Sequence, residues 1–319
     1  MKRMKTVLVI VATMLSSLTV ACDVCGIFLG VQPHERASSI SLFWRYRHLE
    51  GDVLLPGSSV NPKHGGHGVA PAAQDKSVHY RELYQVLELR ADIWVSERIA
   101  IMGSIPLVNN YRDMDGSITT DVYGMGDPFF LGRYQVVNTK CLTPDERVVH
   151  RLMLGTGAKI PIGRNDMTYN GEAVEVDQQP GSGSWDLLAS AEYKVRYKRN
   201  GAGLSMIGRY NGENSNHYRL GDGLSTTAEV FRRFEFGEEW KWMPSVGMYH
   251  EFSGMDYDHG DAVNGTGSST LFAHVASRLW WRSWGVTATC QFAVAQDIGS
   301  LMIPNKERIV VGLTYNITN

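Results

Sequence analysis

Two thiols near the start of the chain offer the most direct chemistry in this sequence. Cys22-Asp23-Val24-Cys25 sets them at Cys-x-x-Cys spacing, close enough to share a soft metal such as Cu(I) or Zn, or to cycle as a redox pair. One such motif supplies two ligands, so a closed metal site needs a further donor; Cys141 is the candidate third thiol. A disulfide, or lipidation of Cys22, is the competing expectation. Cys290 falls on an apolar face with Ala288, Phe292 and Val294 and reads as inert. His64-Gly65-Gly66-His67, with His34 and His79 outside it, and the acidic stretch 255–261 around His259 are further cation candidates; each reads more simply as solvated loop. Acyl-transfer chemistry needs a Ser and a His at one height on neighbouring elements, and His250, His274, Ser245 and Ser277 are the residues that would supply them. Gly181-Ser182-Gly183-Ser184 lacks the Gly-x-Ser-x-Gly frame, and Gly155-Thr156-Gly157 lacks a phosphate-cradling Lys and a following helix.

A second group carries charge rather than reactivity. Arg45, Arg47, Glu82, Glu88, Arg90, Glu192, Lys194, Arg196, Glu229 and Arg233 all occupy the polar face of a stretch that alternates polar and apolar. Such a face suits a hydrated lumen, and it suits the water-facing side of a sandwich equally. The elements that carry these residues decide between the two.

The chain has 319 residues, a formal net charge of −2, 43% hydrophobic and 20% charged residues, 33 Gly and 4 Cys. The near-neutral balance without a basic block argues against nucleic-acid binding. Four cysteines over this length do not make a disulfide scaffold. Residues 1–21, with Lys2, Arg3 and Lys5 before an apolar run that ends at Ala21, read as a secretory signal. Beyond them no apolar run approaches the ~18 residues of a spanning helix. Residues 22–37 form an N-terminal segment, periplasmic or lumenal, and 38–319 the main body.

That body alternates with period two throughout. Ile40, Leu42, Trp44 and Tyr46 oppose Ser41, Phe43, Arg45 and Arg47. Leu187, Ala189, Ala191, Tyr193, Val195 and Tyr197 oppose Leu188, Ser190, Glu192, Lys194 and Arg196. Twelve strands are predicted, at 39–49, 78–95, 98–108, 126–138, 147–160, 184–197, 202–210, 221–233, 240–252, 268–280, 285–295 and 306–318. Connections 50–77, 109–125, 161–183, 211–220, 253–267 and 296–305 are long; those between even and odd strands are short except for 139–146. Long loops at one end and tight turns at the other belong to an outer-membrane barrel, with both chain ends on the short-turn side. A sandwich has no cause to sort its loops. Trp185 and Tyr197, twelve residues apart on one face, are separated by roughly 30 Å, about the height of an apolar band with its aromatic girdles. Trp280, Trp281 and Trp284 cluster at a short turn, where a girdle would lie.

Cys22 to Gly26, the run Gly155-Thr156-Gly157-Ala158-Lys159-Ile160-Pro161-Ile162-Gly163, the run Gln179-Pro180-Gly181-Ser182-Gly183-Ser184-Trp185-Asp186, and Tyr193 to Lys198 together resemble the bacterial outer-membrane transporter-like barrels grouped with the phenol-degradation meta-pathway proteins. The likeness covers most of the mature chain. It implies an outer-membrane location and a transport role. One departure is the end of the chain, Asn316-Ile317-Thr318-Asn319, where such barrels commonly finish on an aromatic residue.

The expectation is therefore an all-β transmembrane antiparallel barrel, not an enzyme, that passes small solutes passively, aromatic or hydrophobic ones among them. Its partners are the outer-membrane bilayer and a small-molecule solute. The charged residues named above are the lumen-lining candidates, and Cys22 and Cys25 the metal candidates. Two alternatives stand beside it: a non-conducting barrel whose Cys-x-x-Cys tail binds a soft metal or a periplasmic partner, and an outer-membrane hydrolase.

Overall fold

Two-faced strands of this kind leave no unpaired edge when the sheet closes on itself. In the computed structural model, which describes residues 37–55, 76–139 and 148–317, it does. The wall is built from β1 (Ser38–Leu55), β2 (Lys76–Trp94), β3 (Ile99–Met114) and a fourth strand in two pieces, β4 (Ser117–Met125 and Phe129–Asn138). It continues through β5 (Val148–Lys159), β6 (Asp186–Tyr197), β7 (Asn200–Asn211) and β8 (Gly223–Arg232). It ends with β9 (Trp240–Ser253), β10 (Ser268–Trp281), β11 (Trp284–Ile298) and β12 (Asn305–Ile317). Every strand pairs antiparallel with the next, and β1 pairs with β12 from Ser38 opposite Ile317 to Leu49 opposite Asn305. The sheet has no free edge, which removes the unpaired backbone groups that lipid cannot satisfy.

The twelve strands are those of the periodicity, but several run further. β1 and β2 stay paired as far as Leu55 opposite Lys76, beyond the expected ends at 49 and 78. Residues 109–125, expected as a loop, are instead a hairpin: β3 continues to Met114 and β4 returns from Ser117. Asp115 (φ 51°) and Gly116 (φ 83°) make the two-residue turn, the left-handed pair that an Asp-Gly hairpin demands. Between β5 and β6 the chain makes a two-residue ladder, Thr168–Tyr169 with Glu172–Ala173, and then one 3-10 turn at Val176–Gln178. The connections after β7 and β9 pair with each other through Tyr218–Arg219, Tyr257–Asp258 and Asp261–Ala262.

Burial is inverted relative to a water-soluble protein. Leu89, Ile101, Ile105, Leu107, Leu187, Val246 and Val286 are exposed on the outside, while Glu88, Arg90, Asp186, Glu192 and Arg278 are buried inside. A contiguous apolar exterior on this scale is the surface of a protein solvated by lipid. On β1 the outward residues Ile40, Leu42, Trp44 and Tyr46 give way to His48, Glu50 and Asp52, which marks the long-loop edge of the band. At the short-turn edge Trp240 packs against Trp281 (centroids 6.1 Å) and Trp284 against Tyr315 (4.9 Å), forming a girdle. Trp280 is not part of it. Adjacent residues of a strand point to opposite faces, so Trp280 turns inward and is buried, its ring filling the space beside Gly285. Cys290 lies half-buried and free on the outward face of β11. The leader 1–21, the thiols Cys22, Cys25 and Cys141, and the histidines His34, His64 and His67 lie outside the described residues.

Candidate functional site

The barrel interior is a column of ion pairs, and the register shows how alternate positions build it. Asp92, Arg90, Glu88 and Glu82 follow one another up the inner face of β2, opposite Ser39, Ser41, Phe43 and Leu49 of β1. Nearest the short turns, Arg133 of β4 bonds Asp92 on one side and Glu192 on the other (2.9 Å), with Lys194 3.5 Å from Glu192. Above it Glu88 accepts from Arg90 (2.6 Å) and Ser104 (2.7 Å) and pairs with Arg45 (3.1 Å). Across the barrel Glu229 pairs with Arg278 (3.1 Å), which also donates to Ser245 Oγ (3.1 Å). Toward the long loops Glu251 binds Arg308 and Arg47 (3.3 Å), and Arg47 donates to Asn305 Oδ1 (2.7 Å). Arg45, Arg47, Glu82, Glu88, Arg90, Glu192, Lys194 and Glu229 are thus all on the inner face. Arg196 and Arg233 sit at the short-turn rim, where Arg196 reaches the carbonyl of Lys198 (2.9 Å) and Arg233 pairs with Glu235 (3.2 Å).

Most of these pairs skip a strand. Arg133 on β4 reaches β2 and β6, and Arg278 on β10 reaches β8. Only a closed and curved wall brings such residues together. Buried charges in low dielectric are tolerated when each is met by its opposite, and here both signs interleave. Aromatic rings line the same space under the guanidiniums: Phe43 beneath Arg90 (4.9 Å), Trp94 beneath Arg151 (5.6 Å), and Tyr249 and Phe272 beneath Arg308 (5.0 and 5.7 Å). Apolar patches interrupt the charge, one of Met102, Phe129, Leu131, Leu188 and Ile207, another of Leu49, Val53, Tyr84 and Ile303.

The connection 161–183 folds inward and narrows the long-loop end. Arg112 of β3 anchors it by bonding Glu175 (2.6 Å) and approaching Asp177 (3.6 Å), while its Nε holds Glu82 (2.5 Å). Asn110 donates to the carbonyl of Gln178 (2.9 Å), and the Gln178 amide meets the Tyr84 hydroxyl. Gln178 is wholly buried. At the base Asp127 accepts from the backbone N–H groups of Gly163 (2.9 Å) and Ser182 (2.8 Å), and Lys159 bridges Asp127 (3.0 Å) and Asp186 (2.7 Å). Two of the runs that carried the family likeness, 155–163 and 179–186, meet here. A Cβ on Gly163 would lie 2.6 Å from the Gly126 carbonyl carbon, and one on Gly181 would lie 2.7 Å from that of Gly163. Both glycines let three backbones close around one carboxylate.

At the outer rim, beyond the apolar band, His79 bonds Asp52 (2.9 Å) and Glu50 (3.3 Å). The hydrogen bonds to Asp52 and then Glu50 raise the His79 pKa, and the same contact with His79 lowers that of Glu50. The residues considered for acyl transfer each have a different partner. His274 Nδ1 faces Gln291 (3.1 Å), Ser245 serves Arg278, Ser277 accepts from Trp242 (2.9 Å), and His250 bonds Ser269 (3.0 Å) on the outward face. Among the described residues no three His, Cys, Asp or Glu side chains group as a metal site.

Sequence reading missed Asp92, Arg112, Arg133, Asp127, Lys159, Arg278 and Arg308. Arg133 and Arg278 alternate with apolar neighbours as the chosen residues do, so the same signal was present. The role of Arg112 was hidden because its stretch read as loop.

No protein-family model matches this chain, and no curated protein matches it. Solved structures do. An outer membrane channel, COG4313, from Pseudomonas putida F1 aligns over 90% of this chain and all of its own, with 14% identity and a TM-score of 0.58. The β domain of the Bordetella autotransporter BrkA aligns over 89% of this chain and all of its own, with 11% identity and a TM-score of 0.47. The CymD monoaromatic hydrocarbon channel aligns over 90% of this chain and 89% of its own, with 8% identity and a TM-score of 0.32. The first of these likenesses shows that the fold is that of an outer-membrane β-barrel.

Proposed function

We propose that this protein is a passive outer-membrane channel for small solutes, with its path through the ion-paired interior. The observation that carries the reading is the inverted wall: an apolar exterior around a closed interior of paired charges, apolar patches and aromatic rings. Such an interior offers hydrogen-bonding groups and π-faces together. It therefore suits small molecules with a ring and a polar substituent, and its interleaved charges of both signs give little preference between cations and anions. Arg45, Arg47, Glu82, Glu88, Arg90, Glu192, Lys194 and Glu229 line the path, and Arg196 and Arg233 its short-turn mouth. The 161–183 segment sets its narrowest part. Twelve strands lie between barrels filled by side chains and open aqueous porins, so the path is narrow. The preference for aromatic solutes rests on the sequence likeness and on the rings that line the interior, and the channel reading is supported by the likeness to the Pseudomonas putida F1 outer membrane channel.

The test is planar-bilayer recording with the purified mature chain, followed by uptake of small aromatic alcohols and acids into proteoliposomes. Discrete openings of weak ion preference, reduced by a permeant aromatic, are expected. A correctly folded barrel that gives neither openings nor uptake overturns the reading.

A further inference from the structure

The connections after β7 and β9 carry two histidines that the channel reading does not use. His217 and His259 come from separate loops, yet their rings lie 5.3 Å apart between centroids, and the N–H of His259 donates to the carbonyl of His217 (2.8 Å). We propose that these two imidazoles form a site for a borderline divalent transition-metal ion, Cu²⁺, Ni²⁺ or Zn²⁺, at the long-loop mouth.

The first argument concerns proton placement. His217 Nδ1 lies 2.5 Å from Glu213 Oε1, and His259 Nδ1 lies 2.8 Å from Asp258 Oδ1. An ionised carboxylate can only accept, so each Nδ1 is the donor and each neutral ring leaves its Nε2 lone pair uncommitted. A carboxylate behind a histidine, fixing its tautomer and ring orientation, is the arrangement that metal-ligating histidines use. Both sit here in duplicate, side by side. The second argument is distance. Metal–nitrogen bonds of about 2.0–2.1 Å at a tetrahedral angle put two ring centroids about 5 Å apart, close to the observed spacing. Backbone conformation is the third. His217 (φ 57°) and His259 (φ 51°) both occupy the left-handed region, where a glycine or asparagine would be unstrained. Strain of this kind at two facing histidines is held by the surrounding structure: the ladder of Tyr218–Arg219 with Tyr257–Asp258, and the bond from the Tyr218 hydroxyl to Asp256 (2.7 Å). Both imidazoles are exposed, so water completes the coordination sphere. An ion there would tie the two loops together across the mouth.

The experiment uses the tag-free chain lacking residues 1–21 and carrying Cys22→Ser/Cys25→Ser/Cys141→Ser, so that no thiol at these positions captures or reduces the ion, titrated with Cu²⁺ and read by calorimetry and by electron paramagnetic resonance. Four variants accompany it: His217→Asn and His259→Asn, because asparagine keeps the left-handed backbone, His64→Ala/His67→Ala to remove a competing histidine pair, and Glu213→Gln. We expect one Cu²⁺ per chain with hyperfine coupling from two imidazole nitrogens. Each Asn variant should lower the affinity at least tenfold, while the His64→Ala/His67→Ala chain binds as the parent does. Glu213→Gln should weaken binding about tenfold through the ring it orients. Unaltered migration of the folded barrel on an unheated gel shows that the variants fold. A parent chain without nitrogen-coordinated Cu²⁺, or Asn variants that bind like the parent, overturns the proposal.

Discussion

At the scale of single residues, several interior carboxylates, Glu88, Glu192 and Glu251 among them, each serve two cations. Glu88 is the clearest case, holding Arg90 and Arg45 at once and taking the Ser104 hydroxyl as well. Glu88→Gln removes the charge both guanidiniums share. Leaving buried cations without their carboxylate costs about 3–5 kcal/mol, so the variant should unfold at lower denaturant than the parent. In bilayers its reversal potential under a salt gradient should move toward anion preference, because positive charge is left in the path. A different outcome is expected at the outer rim. The His79 pKa is raised by Asp52 and Glu50, so the imidazole gains its folded-state partners when charged. That contribution is complete below the unfolded pKa of about 6.5 and is lost as pH rises through the higher folded value. The His79 ring resonance should titrate above that of a free histidine, and should return to the free value in Asp52→Asn/Glu50→Gln.

At the scale of elements, the 161–183 segment is held against the inner wall by residues of β2 and β3. Arg112→Ala removes the cation that draws Glu175, Asp177 and Glu82 together. Larger single-channel conductance and faster proteolysis within 161–183 are expected, with the strands of the barrel intact. Gly163→Ala acts at the base of the same segment. A methyl group 2.6 Å from the Gly126 carbonyl carbon and 2.8 Å from Asp127 Oδ1 forces backbone apart, and overpacking of this kind costs about 1–3 kcal/mol. Its midpoint of thermal unfolding should fall, and its conductance should become variable from opening to opening. These elements also show what the sequence could and could not say. Strands were legible because lipid outside and charge inside give adjacent residues opposite chemistry. The hairpin at Asp115-Gly116 was missed, because the polar stretch 109–125 reads as a loop although its Asp-Gly turn pair is present. Trp280 inward and Trp281 outward follow from alternation. That Arg112 would hold the 161–183 segment was not legible, since contacts between a strand and a distant connection depend on register and closure.

At the scale of the whole molecule, several ion pairs join strands that are not neighbours, so the interior depends on curvature as much as on sequence. Arg47 on β1 and Glu251 on β9 meet across the lumen, and Arg133 draws β2 and β6 toward β4. Arg47→Ala/Arg308→Ala, which strips both cations from Glu251, should therefore loosen the barrel as a unit. The expected readout is a lower temperature for loss of fast gel mobility, without a change in strand content before that point. The choice of barrel over sandwich came from the sorting of long and short connections, a whole-chain property visible in sequence. The arrangement of the lumen came only from the closed wall.

The seam between β1 and β12 sets a timetable for the life of the protein. Ser38 pairs with Ile317, so almost the full length of the chain separates the partners of the last ladder to form. Every other pairing in the wall joins consecutive strands and can zip up as a hairpin, but this one waits until both ends of the wall have been made. Until then two strand edges remain open and sticky, which makes the unclosed chain the stage most in need of an escort.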